Sequence, residues 1–320
     1  MKLIIQIPCY NEEHTLPNVL REIPQEIEGI HHIETLVIDD GSTDRTAQVA
    51  QLTGANHVIR NIRNLGLAFS FRRGLDAALA LGADIVVNMD GDNQYPASRL
   101  ADLIAPILRK EADIVVANRQ TDRIEHFSPL KRRLQRWGSA IMRRLSGTEV
   151  RDAVSGFRAF SRDAAIKITI LSNYTYTLES ILQAKAKGLT ISNIDIETNP
   201  KIRESRLIKS LRAYLTFSAA TIVRVFAMYN PLRIFFPLGG LLLLAGILLG
   251  LRFLYYYTWF GGSGKIQSLL LATLLCILGS AVVLVGLIAD LIQFNRRLLE
   301  DVLERVKKLE LKDSYTPSSD

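Results

Sequence analysis

The run Ile85-Val-Val-Asn-Met-Asp90-Gly91-Asp92-Asn-Gln94-Tyr-Pro96 ends an apolar segment on two carboxylates one glycine apart, with a side-chain amide two residues on. Hard divalent cations take oxygen ligands and keep positions for water and substrate phosphate, so Asp90, Asp92 and Gln94 suit Mg²⁺ or Mn²⁺ on a diphosphate. An isolated Asp-x-Asp is equally the signature of a solvated turn, and only its place at a strand end argues for a site. Three further segments have the same ambiguity. Ile7-Pro8-Cys9-Tyr10-Asn11-Glu12-Glu13 leaves one apolar run and offers an aromatic ring and backbone N–H groups to a base and ribose, or merely caps a helix with an acidic first turn. Val37-Ile38-Asp39-Asp40-Gly41-Ser42-Thr43-Asp44 presents two acceptors for base and ribose, with Asp44 placed to cap the next helix. Asn64-Leu65-Gly66-Leu67 supplies a turn with a glycine for close backbone approach.

The elements around these segments position them alike. Leu3 to Ile7, Thr35 to Ile38, His57 to Ile59, Ile85 to Met89 and Ile114 to Ala117 read as strands. Helical patterns fall between them, near Glu12 to Glu22, Asp44 to Leu52, Leu67 to Leu81 and Ser98 to Arg109, several with an Asp, Ser or Thr placed to cap the start. Alternating strand and helix means an α/β domain with a mostly parallel, Rossmann-like sheet, and each unusual segment then leaves the C-terminal end of a strand, where open sheets bind ligands. Ser155 to Ser161 and Thr177 to Glu197 read as further strand and helix closing the other side. In that second half, Glu179 reads as buried on a helix and Asp152 as a turn cap. The domain is expected over residues 1–200.

The 320 residues carry 48% hydrophobic and 22% charged residues with a net charge of +7, and mean hydropathy is only +0.15. The apolar excess is concentrated: neither Ile234 to Leu251 nor Ile266 to Ala289 contains a charge. At about 1.5 Å per residue each run covers roughly 27–36 Å, enough for a hydrocarbon core of about 30 Å. Tyr255, Tyr256, Tyr257 and Trp259 between them fit an interfacial belt, so a two-helix transmembrane hairpin over 231–293 is expected rather than a pair of buried core helices. Arg296, Arg297, Arg305, Lys307 and Lys308 follow the second run, against Arg252 and Lys265 near the short loop, which puts both termini in the cytoplasm. The start, a short strand followed at once by Pro8, is unlike a cleavable leader. Residues 201–230 read as basic juxtamembrane and interfacial helices, and 294–320 as a charged helix and tail that either pairs with a second copy or lies on the membrane. Cys9 and Cys276 give neither a disulfide framework nor metal-site spacing. The basic residues track the membrane boundary without interleaved aromatics, which argues against nucleic acid.

Taken together, the four segments resemble the family-two glycosyltransferases of the GT-A fold. Val116-Ala117-Asn118-Arg119, Ser128-Pro129-Leu130-Lys131-Arg132-Arg133, Asp152-Ala153-Val154-Ser155-Gly156-Phe157-Arg158 and Arg203-Glu204-Ser205-Arg206, followed by the hairpin, resemble the polyprenyl-phosphate glycosyltransferases related to dolichol-phosphate mannose synthase. That resemblance implies an integral membrane enzyme of the cell membrane. It would transfer one hexose, with inversion, from a UDP- or GDP-linked sugar to dolichyl or undecaprenyl phosphate at the cytoplasmic face. It implies Pro8, Tyr10, Asn11, Glu12, Asp39, Asp40, Asn64, Asp90, Gly91 and Asp92 in the nucleotide-sugar pocket, with Asp90, Asp92 and Gln94 on Mg²⁺ or Mn²⁺. Arg119, Lys131, Arg132, Arg203 and Arg206 would face the acceptor phosphate, and Asp92, Arg119 and Arg132 would carry catalysis. The family often has alanine at the position of Gly91 and lysine at that of Arg206. Two rivals remain: a diacylglycerol or glycan hydroxyl acceptor, which needs a general base such as Asp152 or Glu179, and a non-catalytic membrane scaffold that senses nucleotide sugar.

Overall fold

A computed structural model describes residues 1–119, 150–170, 176–199, 231–261 and 266–313. Its first unit is built on seven strands: β1 (Lys2–Cys9), β2 (His32–Asp39), β3 (His57–Arg60), β4 (Ile85–Asn88), β5 (Ile114–Asn118), β6 (Arg158–Ser161) and β7 (Ile191–Asp195). They lie in the order β3-β2-β1-β4-β6-β5-β7. β1 pairs in parallel with β2 and β4, β2 with β3, and β5 with β7, while β6 runs antiparallel to β4 and β5. The expected mostly parallel α/β sheet is therefore present, with strand ends within two or three residues of those read from the sequence.

Side chains alternate across the sheet. Leu3, Ile5, Ile7 and Cys9 of β1 enter a core shared with α1 (Leu16–Glu22) and α4 (Leu100–Leu108) through Leu16, Val19, Leu103 and Ile104. The opposite face carries a polar row, because the register aligns Gln6 with Asn88 and Asn88 with Arg158. There α3 (Leu67–Ala80) comes so close that a Cβ on Gly74 would lie 2.6 Å from Gln6 Oε1. Gln6, Asn88 and Arg158 are all fully buried. α2 (Thr46–Leu52), α5 (Arg162–Lys167) and α6 (Tyr176–Ala186) complete the described helices of this unit, with a single 3-10 turn at Ala97–Arg99.

Capping departs from expectation. Thr15 precedes α1 without capping it, since its hydroxyl is drawn to Glu12 Oε2 (2.7 Å) and Gly91 O (2.8 Å). Asp44 accepts from Thr46 N (2.9 Å) and so serves the first turn of α2 from one position outside the cap, which Arg45 occupies. A conventional side-chain cap is found at α5, where Ser161 Oγ accepts from Ala164 N (3.2 Å). At α1 the hydroxyl of Thr15 is thus diverted from the helix end, partly by a tertiary contact to Gly91, whereas at α2 Asp44 still serves the helix end.

The second unit holds α7 (Pro231–Phe260) and, as far as Leu303, α8 (Ile266–Asp313). Both are long and apolar enough to cross a membrane, with window hydropathies of 2.4 and 2.7, and only 11% and 17% of those windows are buried, unlike core helices of a soluble protein. Small residues face each other at a seven-residue interval. A Cβ on Gly239 would meet Gly279 O at 2.9 Å, and one on Gly246 would meet Ala272 O at 3.0 Å. A seven-residue interval of small residues is a heptad spacing, and it lets the two backbones approach closely. The charged segment that the sequence sets apart from residue 294 is continuous with the second span, since α8 has no break across 48 residues.

Candidate active site

The C-terminal ends of β1 to β4 enclose a cleft of about 240 Å³. β1 contributes Pro8, Cys9, Tyr10 and Glu12; β2 contributes Asp40; the turn into α3 contributes Asn64, Gly66, Leu67 and Ser70; β4 contributes Asp90, Gly91 and Asp92. Eight of the ten residues expected in the donor pocket thus share one wall. Asn11 and Asp39 are not on it. Asn11 adopts a left-handed φ of 55° and locks two loops, its N–H donating to Ser42 Oγ (2.9 Å) and its Oδ1 accepting from Thr43 N (2.8 Å). Asp39 is buried, accepts from Ser42 N (2.9 Å) and pairs with Arg60 Nε at 3.1 Å.

Asp40 lines the cleft, but its carboxylate is spent on the neighbouring turn. Oδ1 accepts from Asn61 Nδ2 (2.7 Å) and Leu65 N (3.0 Å), and Oδ2 from Gly66 N (2.8 Å). Its first role is to hold the strand-to-helix turn that carries Asn64 and Gly66. Gly41 makes that proximity feasible: at φ +70°, a Cβ there would lie 2.3 Å from the Arg63 carbonyl carbon.

The carboxylates of Asp90, Asp92 and Glu12 share the cleft. Burial, then the charges of Asp92 and Glu12, push Asp90 up to about 7, against the opposing pull of Arg119 and Arg158. Such an excess of negative charge suits a cation. Among the described residues no three His, Cys, Asp or Glu side chains converge to hold a metal by themselves. Two carboxylates of an open site, completed by diphosphate oxygens and water, match the hard-cation chemistry expected of Mg²⁺ or Mn²⁺. Gln94 meets Asp92 through its backbone, N–H donating to Oδ1 at 3.2 Å. Gly91 lets the loop close on β1, since a Cβ there would come within 2.6 Å of Cys9 Sγ. Burial raises the Cys9 thiol well above its usual value, which makes it inert packing rather than a nucleophile.

A second group of residues lies behind Asp90, and among them the parts of Tyr95, Asn88 and Tyr176 are not read from the sequence. Gly156 brings its backbone against Asp90, where a Cβ would be 2.8 Å from Oδ2. Its N–H donates to Tyr95 Oη (3.1 Å) and its carbonyl accepts from Asn88 Nδ2 (2.9 Å) and Tyr176 Oη (3.3 Å). Burial keeps both phenols protonated by raising them above their usual values. Arg119 leaves β5 and forms a bidentate pair with Asp152, Nε to Oδ2 at 2.7 Å and Nη2 to Oδ1 at 3.0 Å. Burial alone lifts the Asp152 carboxyl, but Arg119 overrides it and holds the group below the usual range. Asp152 is therefore the partner of Arg119 more than a turn cap. Glu179 is buried on α6 and accepts from Gln183 Nε2 (3.3 Å). Lys131, Arg132, Arg203 and Arg206 lie outside the described residues.

Residues 4–169 match the model of glycosyl transferase family 2. The chain belongs to that family. Over 60% of its length, and 83% of the relative's, this family 2 transferase is 30% identical to a UDP-N-acetylglucosamine–dolichyl-phosphate N-acetylglucosaminyltransferase of Methanococcus voltae. A 27% identity to glycosyltransferase AglJ of Haloferax volcanii covers 96% of this chain and 97% of that one, so the likeness continues through the C-terminal helices. Among solved structures, glucosyl-3-phosphoglycerate synthase from Mycobacterium tuberculosis, in complex with Mn²⁺, UDP-glucose and phosphoglyceric acid, superposes with a TM-score of 0.56. It is 24% identical, over 71% of this chain and 80% of its own. That likeness establishes the GT-A fold of the family 2 unit.

Proposed function

We propose that the protein is anchored in the membrane by its helical hairpin and transfers one hexose, with inversion, from a nucleotide sugar to a polyprenyl phosphate at the cytoplasmic face. The observation that carries this reading is a cleft carrying Asp90 and Asp92 at the end of β4, with the Arg119 guanidinium, fixed by Asp152, near enough to pull on the charge of Asp90. The relative named for dolichyl phosphate supports the acceptor class, and the basic residues after the second span support the orientation.

Tyr10, Glu12 and Asn64 line the donor wall, and Asp90 and Asp92 would hold Mg²⁺ or Mn²⁺, with Gln94 as a further ligand. When bound, a divalent cation offsets the charge that develops on the departing nucleoside diphosphate. The acceptor is a phosphate monoester with a second pKa of about 6, so it arrives mostly dianionic and needs no strong base. Arg119, whose Nη1 has no hydrogen-bond partner among the described residues, offsets repulsion between that dianion and the donor. Lys131, Arg132, Arg203 and Arg206 would add to that charge. A phosphate oxygen forms its bond to the anomeric carbon as the bond to the diphosphate breaks, and the electron pair leaves with the diphosphate. A single displacement inverts the centre without an enzyme nucleophile. A hydroxyl acceptor would require a base, and Asp152, ion-paired with Arg119, is a poor one.

Purified protein with Mg²⁺ or Mn²⁺, a panel of labelled UDP- and GDP-sugars and polyprenyl phosphate should yield a lipid-linked sugar. Asp92→Ala should abolish transfer and leave membrane insertion intact. Absence of transfer from every donor by folded protein would overturn the reading.

A further inference from the structure

Arg158 opens β6 and is fully buried, yet among the described residues none of its hydrogen bonds goes to a carboxylate. Nε donates to Ser155 O (2.8 Å), Nη2 to Ala153 O (2.7 Å), and Nη1 to Thr177 O (2.7 Å) and Ser180 Oγ (2.8 Å). Burial lowers its pKa to about 10, so the group is still a cation at neutral pH. A buried charge held only by neutral acceptors is costly to keep. Two of those acceptors belong to the turn that begins at Asp152 and closes at Gly156, so the turn is wrapped around the guanidinium.

The two ends of that turn serve different halves of the site. The Asp152 carboxylate accepts from the Arg119 guanidinium and, at 3.4 Å, from the Arg119 backbone N–H. Gly156 backs Asp90 and has its own side-chain anchors in Tyr95, Asn88 and Tyr176; Asn88 is the strand neighbour of Arg158 through the backbone, but among the described residues none of the three side chains hydrogen-bonds the guanidinium. Loosening Arg158 therefore frees the Asp152 end while Gly156 stays pinned.

We infer that Arg158 is a positioning residue for the acceptor half of the site: through the Ala153 and Ser155 carbonyls it sets Asp152, and through Asp152 it aims the guanidinium of Arg119. The inference rests on the transferase reading only for what Arg119 meets.

The test uses the full chain in detergent, with Arg158→Lys, Asp152→Asn and the double variant. In Arg158→Lys, amide exchange at Arg119 and Ala153 to Ser155 should quicken by about tenfold or more while Gly156 keeps its protection. The KM for polyprenyl phosphate should rise about tenfold in either single variant, with donor KM within about twofold, and the double variant should be no worse than the poorer single. Unchanged exchange at Arg119 and 153–155, an equal loss of donor affinity, or additive effects would overturn the inference. If Arg158→Lys does not fold, Ser180→Ala, which removes one acceptor of Nη1, should move the acceptor KM in the same direction by a smaller factor. A wild-type acceptor KM in Ser180→Ala and Asp152→Asn together would then be decisive against it. If the wild-type protein transfers nothing, the transferase reading falls, and the exchange pattern alone decides whether Arg158 positions Arg119.

Discussion

The backbone of Gly156 lies against the carboxylate of Asp90, 66 residues earlier in the chain, so closely that a methyl group would stand 2.8 Å from Oδ2 and 3.0 Å from Tyr176 Oη. Gly156→Ala must displace one of them. Overpacking of this kind costs about 1–3 kcal/mol, and the side chain nearest to yielding is the one expected to hold the metal. Mn²⁺ and donor affinity should fall by about tenfold or more, read by titration of Mn²⁺-UDP against the folded variant. Wild-type affinity would show that Asp90 does not need this wall.

Cys9 and Gly91 divide one space, because a Cβ at position 91 would meet Cys9 Sγ at 2.6 Å. Gly91→Ala alone should destabilise the α/β unit by about 1–3 kcal/mol, whereas Cys9→Ala with Gly91→Ala should recover most of that. Thermal unfolding of the four proteins of the cycle measures the coupling. Equal melting temperatures in the single and double variants would remove it.

Asp90 opposes stability for the sake of its charge. Its folded pKa of about 7 is raised, so its contribution is fully present below the unfolded value near 3.8 and is lost as pH rises through 7. The ceiling on that loss is about 4 kcal/mol. Asp90→Asn should accordingly gain stability at pH 8, gain little at pH 4, and lose transfer altogether. Melting curves without metal at both pH values check the sign, and a variant less stable than wild type at pH 8 would contradict it.

The hairpin depends on the facing pair Gly239 and Gly279, where a Cβ at 279 would lie 2.8 Å from Leu243 N and 2.9 Å from Gly239 O. Gly279→Leu should separate α7 from α8, whereas Gly250→Leu, a position with open space around it, should be tolerated. Disulfide cross-linking between engineered cysteines on the two helices distinguishes them. Equal cross-linking in both variants would refute close packing at Gly279.

Most of the cleft was readable because its segments leave the ends of apolar runs within a few residues. A strand end places Asp40, Asn64 or Asp90 at the sheet edge whatever the rest of the chain does. Beyond the place that the resemblance gives Arg119, the network around Gly156 and Asp152 was not, because Gly156 reaches Asn88 and Tyr176, and Arg119 reaches Asp152, across 20 to 68 residues of sequence. Gln6 and Asn88 are the exception that leaves a trace: polar amides within apolar strands, aligned by register, do signal a buried network. Asp40 shows the opposite difficulty. Its motif marks it for ligand, and only the distances to Leu65 N and Gly66 N reveal that it first holds a turn. The seven-residue spacing of Gly239 and Gly246 was present in the sequence as well, but its partner face on α8 exists only once the hairpin folds.

Because β6 runs against its neighbours, the chain enters that strand at the edge where β5 has just left it. The chain leaves the sheet at Arg119 and comes back to it past Asp152 at that same rim, and the ion pair between the two ties these points together. The junction of exit and return is thus clasped by a single charge pair, so a substitution at either end is felt at both.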